Sequence, residues 1–194
     1  MPDPRPEVIE VLEAHKFHRF IVSTTHMPPQ AIGPDGKKTC TWCGGPLPPR
    51  RRRWCSDECG GEMAIRSSSS TAAYRVWERD QGVCAGCGID TKVVWALWEQ
   101  CRSKRYYHNL GRGPHGVRQW MPEGWMDQWG PWVNLNTYQM WEADHIIPVS
   151  EGGGCCGLDN YQTLCLKCHK EDTAALAKRK AEKRKDGLLG PRIL

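Results

Sequence analysis

Eleven cysteines in 194 residues, eight of them set in four short pairs, constrain this chain more than any other feature. Cys40 and Cys43 form a C-x2-C pair, and Cys55 and Cys59 form a C-x3-C pair after eleven intervening residues. Four thiolates so spaced can close a tetrahedron around Zn²⁺, each pair on a tight turn. The glycines after Cys43 and the Asp-Glu between Cys55 and Cys59 suit such turns. A redox role for local thiols is the alternative, but no thioredoxin-like βαβ pattern accompanies them. Cys84 with Cys87 and Cys165 with Cys168 make two further C-x2-C pairs, separated by 77 residues. That span is too long for a local finger, so a second zinc there would staple the two ends of one domain and hold a long loop without a large core. Cys101, Cys155 and Cys156 are left over and read as buried small residues or free thiols.

Zinc is preferred to disulfides because of the expected compartment. No apolar run approaches the roughly 18 residues needed to span a bilayer. The opening MPDPRPEVIEVLEAHKF mixes proline with charge and lacks the apolar centre of a secretory signal. A membrane protein is excluded and secretion is not expected. The expected location is cytoplasmic and reducing, with a nucleoid-associated, phage or mobile-element setting open. There, clustered cysteines bind metal more readily than they pair. With glycine counted and tyrosine left out, about 47% of residues are apolar, which excludes wholesale disorder.

Four segments are expected: an N-terminal helix and linker (1–38), a four-cysteine zinc ribbon (39–66), a larger domain (67–186) with a Trp-rich insert at about 105–140, and a tail (187–194). The helix should run from about Pro6 to Ile21, its apolar positions only loosely periodic. MPPQAIGPDGKK then has linker composition. Further helices are expected from Ser70 or Thr71 to Asp80 and from Val93 to Lys104, with a knuckle turn at 83–88. Residues 141–149 read as a strand, and Thr163 to Lys185 as a helix.

Chemistry concentrates at the second cysteine site. Asp144-His145 lies within an apolar strand that runs on to Pro148, Asn160 follows after 14 residues, and His169 after 8 more, directly behind Cys168. A lone strand histidine is usually just a hydrogen-bonded polar group, but this combination is hard to explain as packing. WEADHIIPVSEGGG and LDNYQTLCLKCHK closely resemble the core of the HNH endonuclease family, whose fold is ββα-metal. RRRWCSDEC, IRS and VCAGCGID resemble the segment that precedes the HNH domain in eukaryotic annealing-helicase nucleases, so the resemblance spans about 51–180. No G-x4-GK[ST] motif occurs, and the chain is expected to be the nuclease portion alone. The expected fold class is thus α+β and zinc-stabilised, a four-cysteine ribbon followed by an HNH ββα-metal domain.

The resemblance implies roles. Asp144 and His169 would bind one divalent cation, a mixed O/N pair that leaves positions open for phosphate and water. His145 would be the general base, since an imidazole with an ordinary pKa of about 6.5 accepts a water proton near neutrality. Asn160 would orient the loop and His145 by hydrogen bonding. Neighbours on a strand point to opposite sides, so Asp144 and His145 can serve different partners. Neighbours on a helix diverge by about 100°, so Cys168 can face zinc while His169 faces the second metal. Two structural Zn²⁺ and one catalytic ion are expected, Mg²⁺ or Mn²⁺ first, with Ni²⁺ or Zn²⁺ open.

The net charge of +5 is equalled by residues 167–185 alone. Lys178, Arg179, Lys180, Lys183 and Arg184 could neutralise phosphates, or be a solvated helix end. Arg50, Arg51, Arg52 and Arg53 would make a basic tip for backbone contact, or a solvated loop. DNA is the expected partner, double-stranded, branched or single-stranded, ahead of RNA. No base-reading helix is evident, so strong sequence specificity is not expected. Trp120, Trp125, Trp129 and Trp132, with Trp95 and Trp98, read as packing of an irregular insert rather than a stacking platform for bases. The rivals are a non-catalytic zinc-bound DNA-binding or adaptor module, an RNA-directed nuclease, and a Trp-rich interaction protein. The motif serves restriction, phage packaging, repair, mobile elements and toxins alike, and oligomeric state is not legible.

Overall fold

The computed structural model of the chain describes residues 2–20, 22–108, 122–133 and 137–187. Six α-helices and one two-stranded sheet are found among them, a mixed helix and small-sheet architecture. The chain forms two compact units, neither contiguous in sequence. The first joins Met1–Arg79 to His145–Gln162, and the second joins Asp80–Asp144 to Thr163–Leu194.

In the first unit α1 (Pro6–His15) opens on a proline, whose fixed φ suits the first helical position. It ends well before Ile21, which lies outside the described residues; Phe17 is exposed and Phe20 turns left-handed at φ 55°. The helix packs into the unit's core. Val8 is fully buried in a core with Val22, Met27, Trp42 and Met63. The Arg5 backbone N–H donates to Trp42 O at 2.7 Å, and the Trp42 indole returns a bond to Pro2 O at 3.1 Å. Within the stretch expected as linker, which ends at residue 38, Ile32 bridges Lys38 across a turn.

Two helices follow. The sequence led us to expect only turns around Cys55–Cys59, but α2 (Asp57–Ser67) starts there, because Ser56 caps it by accepting the Cys59 N–H at 3.3 Å. Arg66 pairs with Glu62 one turn back and lies 4.8 Å over the Trp42 ring, so the buried carboxylate and the indole are both engaged. α3 (Ser69–Asp80) closes this stretch.

In the second unit α4 (Thr91–His108) places Val94, Trp98 and Cys101 in the core at i, i+4, i+7 spacing. Trp125 and Trp129 of the short α5 (Trp125–Trp129) join them, and the Trp98 and Trp125 rings stack at 5.8 Å with 2° between planes. β1 (Trp141–His145) pairs with β2 (Tyr161–Cys165). β1 stops short of the expected residue 149, because Pro148 precedes a 3-10 turn at Val149–Glu151. β2 stands where a helix start was expected. Thr163 is committed to other partners: its N–H donates to Asp80 Oδ2 at 3.0 Å, and its carbonyl accepts from Ala85 N–H at 2.8 Å. The helix α6 (Leu166–Lys185) therefore begins only at Leu166.

Candidate active site and metal centres

The two four-cysteine groups share one local design. Cys40 N–H bonds Gly45 O at 2.8 Å and Gly44 N–H bonds Cys40 O at 2.9 Å. Cys84 N–H likewise bonds Ile89 O at 2.9 Å, and Gly88 N–H bonds Cys84 O at 2.8 Å. Gly44 and Gly88 sit at φ 74° and 73°, a left-handed step that favours glycine. The other two sulfurs of each group lie at a helix start: Cys55 and Cys59 at α2, Cys165 and Cys168 at α6.

The four sulfurs of each group lie within 4.8 Å of one another, so either set could hold a metal. Cys43–Cys55 and Cys55–Cys59 are 3.5 and 3.6 Å apart, and Cys87–Cys165 is 3.8 Å. Zinc at about 2.3 Å from each sulfur in a tetrahedron needs about 3.8 Å between sulfurs. The donor sets fit zinc. Burial opposes ionisation of Cys40, but backbone donors from Cys43, Cys55 and Trp42 override it and lower the thiol to about 7. Cys84 is lowered to about 7 against the same burial penalty by donors from Cys165 and Cys87. Burial pushes Cys165 up to about 11 and also raises Cys55, Cys59 and Cys168. Each group thus holds one readily ionised thiol, and a bound cation would draw the protons from Cys55, Cys59, Cys165 and Cys168.

The HNH-like residues fall on defined elements. Asp144 and His145 are the last two residues of β1, both half-buried, and His169 lies in the first turn of α6 beside Cys168. The His145 ring packs 4.4 Å from the Tyr161 ring. Asn160 clamps the β1–β2 connection: its Oδ1 accepts the Ile147 N–H at 2.8 Å, and its Nδ2 donates to Ile147 O and Gly153 O at 3.1 and 2.9 Å. Gly153 and Gly154 are buried because backbone approaches them. Gly154 N–H donates to Lys16 O at 2.6 Å, and a Cβ on Gly153 would overlap the Ile147 carbonyl. Sequence alone does not reveal these close approaches. It gave no notice of Arg79 either, whose guanidinium holds the carbonyls of Leu158 and Tyr161 at 2.5 and 2.7 Å.

The basic segments divide. Arg50 to Arg53 are exposed on the loop between the two cysteine pairs of the first group. Along α6, Arg179, Lys180, Lys183 and Arg184 fall within an arc of about 140°, and Lys178 lies outside it. Trp98, Trp125 and Trp129 are buried, in keeping with packing, and Trp95 lies against the same core. Trp120 lies outside the described residues.

Residues 133–174 match the family model of the HNH endonucleases. The chain is 32% identical over 166 residues to the DNA annealing helicase and endonuclease ZRANB3 of Mus musculus, covering 80% of this chain and 15% of that protein. It is 31% identical over 169 residues to the protein of the same name from Homo sapiens, covering 82% and 15%. No solved structure matches. The chain spans about 15% of the length of the curated relatives it matches.

Proposed function

We propose, from the match of residues 133–174 to the HNH endonuclease family model, that this chain hydrolyses DNA phosphodiester bonds with a divalent metal ion. One observation carries the reading. The order β1–β2–α6 sets Asp144-His145 at the end of one strand and His169 in the first turn of the helix that follows the other. Asn160, the fourth residue of the motif, clamps the connection between the strands.

The roles follow from donor chemistry. Asp144 and His169 would hold the ion, one carboxylate oxygen and one imidazole nitrogen, a set suited to Mg²⁺ or Mn²⁺ and open to Ni²⁺ or Zn²⁺. A divalent cation there would shield phosphate charge and stabilise the leaving alkoxide. His145 takes the proton of the attacking water. Asn160 keeps residues 147–153 in place through three bonds, and so acts as a positioning residue. The two four-cysteine groups, whose sulfurs lie close enough to share one metal, would hold structural zinc. The one beside His169 fixes the start of α6 and with it the direction of that histidine. Eight of the eleven cysteines gathered in two groups that could hold a metal fit a reducing, cytoplasmic setting better than a disulfide-forming one. No helix among the described residues is long and apolar enough to cross a membrane.

Supercoiled plasmid incubated with a panel of divalent cations tests the reading, with Asp144→Asn and His169→Ala alongside. Metal-dependent nicking by wild type, lost at least about a hundredfold in both variants, is the expected result. Equal activity in the variants would contradict the ligand assignment, and faster cleavage of a competing RNA would replace the substrate.

A further inference from the structure

The first unit carries a basic groove that the motif does not explain. Two loops form it. In one, Ile32 bridges Lys38 and Gly33 N–H bonds Lys37 O at 2.8 Å; the other runs from Pro46 to Arg53. Gln30 staples them, donating from Nε2 to Thr39 O and to Arg52 O, both at 2.9 Å. Lys37, Lys38, Arg50, Arg51, Arg52 and Arg53 line the groove, and Asp35 is the one acid among its lining residues. Arg51 is engaged with Asp57 at 2.7 Å and Lys37 with Asp35 at 3.8 Å. Lys38, Arg50 and Arg52 have no carboxylate partner among the described residues and point their charge at solvent.

Arg50 adds an independent sign. Arg51 N–H bonds Pro48 O at 3.1 Å to close a tight turn, and Arg50 occupies its left-handed position at φ 70°. Glycine is the residue that fits such a step without strain. Backbone strain of this kind clusters at ligand-binding segments, which makes Arg50 a position to test. The groove is also too large for a simple anion, at about 1220 Å³ against the roughly 300–1000 Å³ of small-ligand sites. No aromatic side chain lines it, so it offers no platform for unpaired bases.

We propose that this groove binds the phosphodiester backbone of duplex DNA, without reading sequence, through residues that take no part in hydrolysis. Charge decides the occupant. A duplex presents one negative charge per about 1.7 Å of axis, a density that rewards several clustered cations through counterion release. The proposal rests on DNA being the substrate of the nuclease reading, but not on cleavage.

Binding of a short labelled duplex to zinc-loaded His145→Ala protein, followed by fluorescence anisotropy across a salt series, tests it. Lys38→Gln, Arg50→Gly and Arg52→Gln combined should weaken binding about tenfold or more near 0.1 M salt, and the salt slope should fall by about 0.9 for each contact removed. Arg50→Gly alone should weaken binding while thermal stability holds or rises, because it relieves the turn, and it carries the test if the triple variant unfolds. Unchanged affinity and slope in these variants would overturn the proposal. So would tighter binding of single-stranded DNA or RNA than of the duplex. Groove-dependent duplex binding by a wild-type protein that cleaves nothing would sink the nuclease reading and leave this one standing.

Discussion

Asn160 meets Ile147 with both ends of its amide, accepting the Ile147 N–H at 2.8 Å and donating to the Ile147 carbonyl at 3.1 Å. Its second amide hydrogen reaches Gly153 O at 2.9 Å, so one side chain holds both sides of the loop that leaves His145. Asn160→Ala should cost about 1–3 kcal/mol, the usual range for stranding such backbone groups. Asn160→Asp should do no better. It keeps an acceptor for Ile147 N–H but turns a carboxylate oxygen toward two carbonyls. Chemical denaturation of the three proteins measures this, and an aspartate variant as stable as wild type would count against the clamp.

The glycines of that loop separate steric from conformational demands. A Cβ on Gly153 would overlap the Ile147 carbonyl and lie 2.7 Å from Asn160 Nδ2; one on Gly154 would lie 2.5 Å from Lys16 O. Backbone cannot give way as a side-chain end can, so either alanine should cost about 2 kcal/mol or more. Gly88 has open space around it but φ +73°, and Gly88→Ala should cost only about 1 kcal/mol of backbone strain. Melting curves should show both loop variants falling further than Gly88→Ala.

Much of this was legible from residue spacing alone. All eight paired cysteines assemble into two groups of four, and each group can be read directly from the intervals between them. Asp144, His145, Asn160 and His169 are singled out by their resemblance to the HNH motif, and of the four only His169 stands directly beside a paired cysteine. The missed elements have physical causes. Gly60 and Gly61 disguised α2, although Ser56 with Asp57 and Glu58 behind it is a helix-start signal. β2 has only five residues and is buried on nearly all of them, so it shows no alternation, and the bonds of Thr163 to Asp80 and Ala85 join residues about 80 apart in sequence. The packing of α1 under Trp42, and the stapling of two loops by Gln30, are tertiary facts without a local pattern.

Zinc stoichiometry should report the two centres separately. Cys40→Ser and Cys84→Ser should each lower bound zinc from two ions to one, measured by native mass spectrometry. Hydrogen exchange should then rise around residues 39–59 in the first variant, and around 83–90 and 163–169 in the second. Loss of both ions from either single variant would contradict the separate sites.

Two weak acids set an alkaline limit. Burial raises the Cys156 thiol above its ordinary 9.0, and burial, with the neighbouring Cys156, raises the Tyr161 phenol above its ordinary 10.0. Both groups favour the folded state while neutral. Their contribution is complete below those ordinary values and is lost as pH rises toward the folded ones. Urea stability at fixed zinc should therefore fall from pH 8 to pH 10.5, and Cys156→Ala with Tyr161→Phe should flatten that fall. A slope unchanged in the double variant would place the loss elsewhere.

The most direct test of the account is plasmid nicking by the zinc-loaded protein and its His145→Ala variant, with DNA binding measured on both. EDTA alone is a poor control, since it also strips structural zinc. The account predicts metal-dependent nicking by wild type, a loss of about a hundredfold or more in His145→Ala, and DNA binding unchanged between them. Equal nicking by both would refute His145 as the base. Binding without nicking by wild type, under every cation tried, would make this a DNA-binding module and not a nuclease.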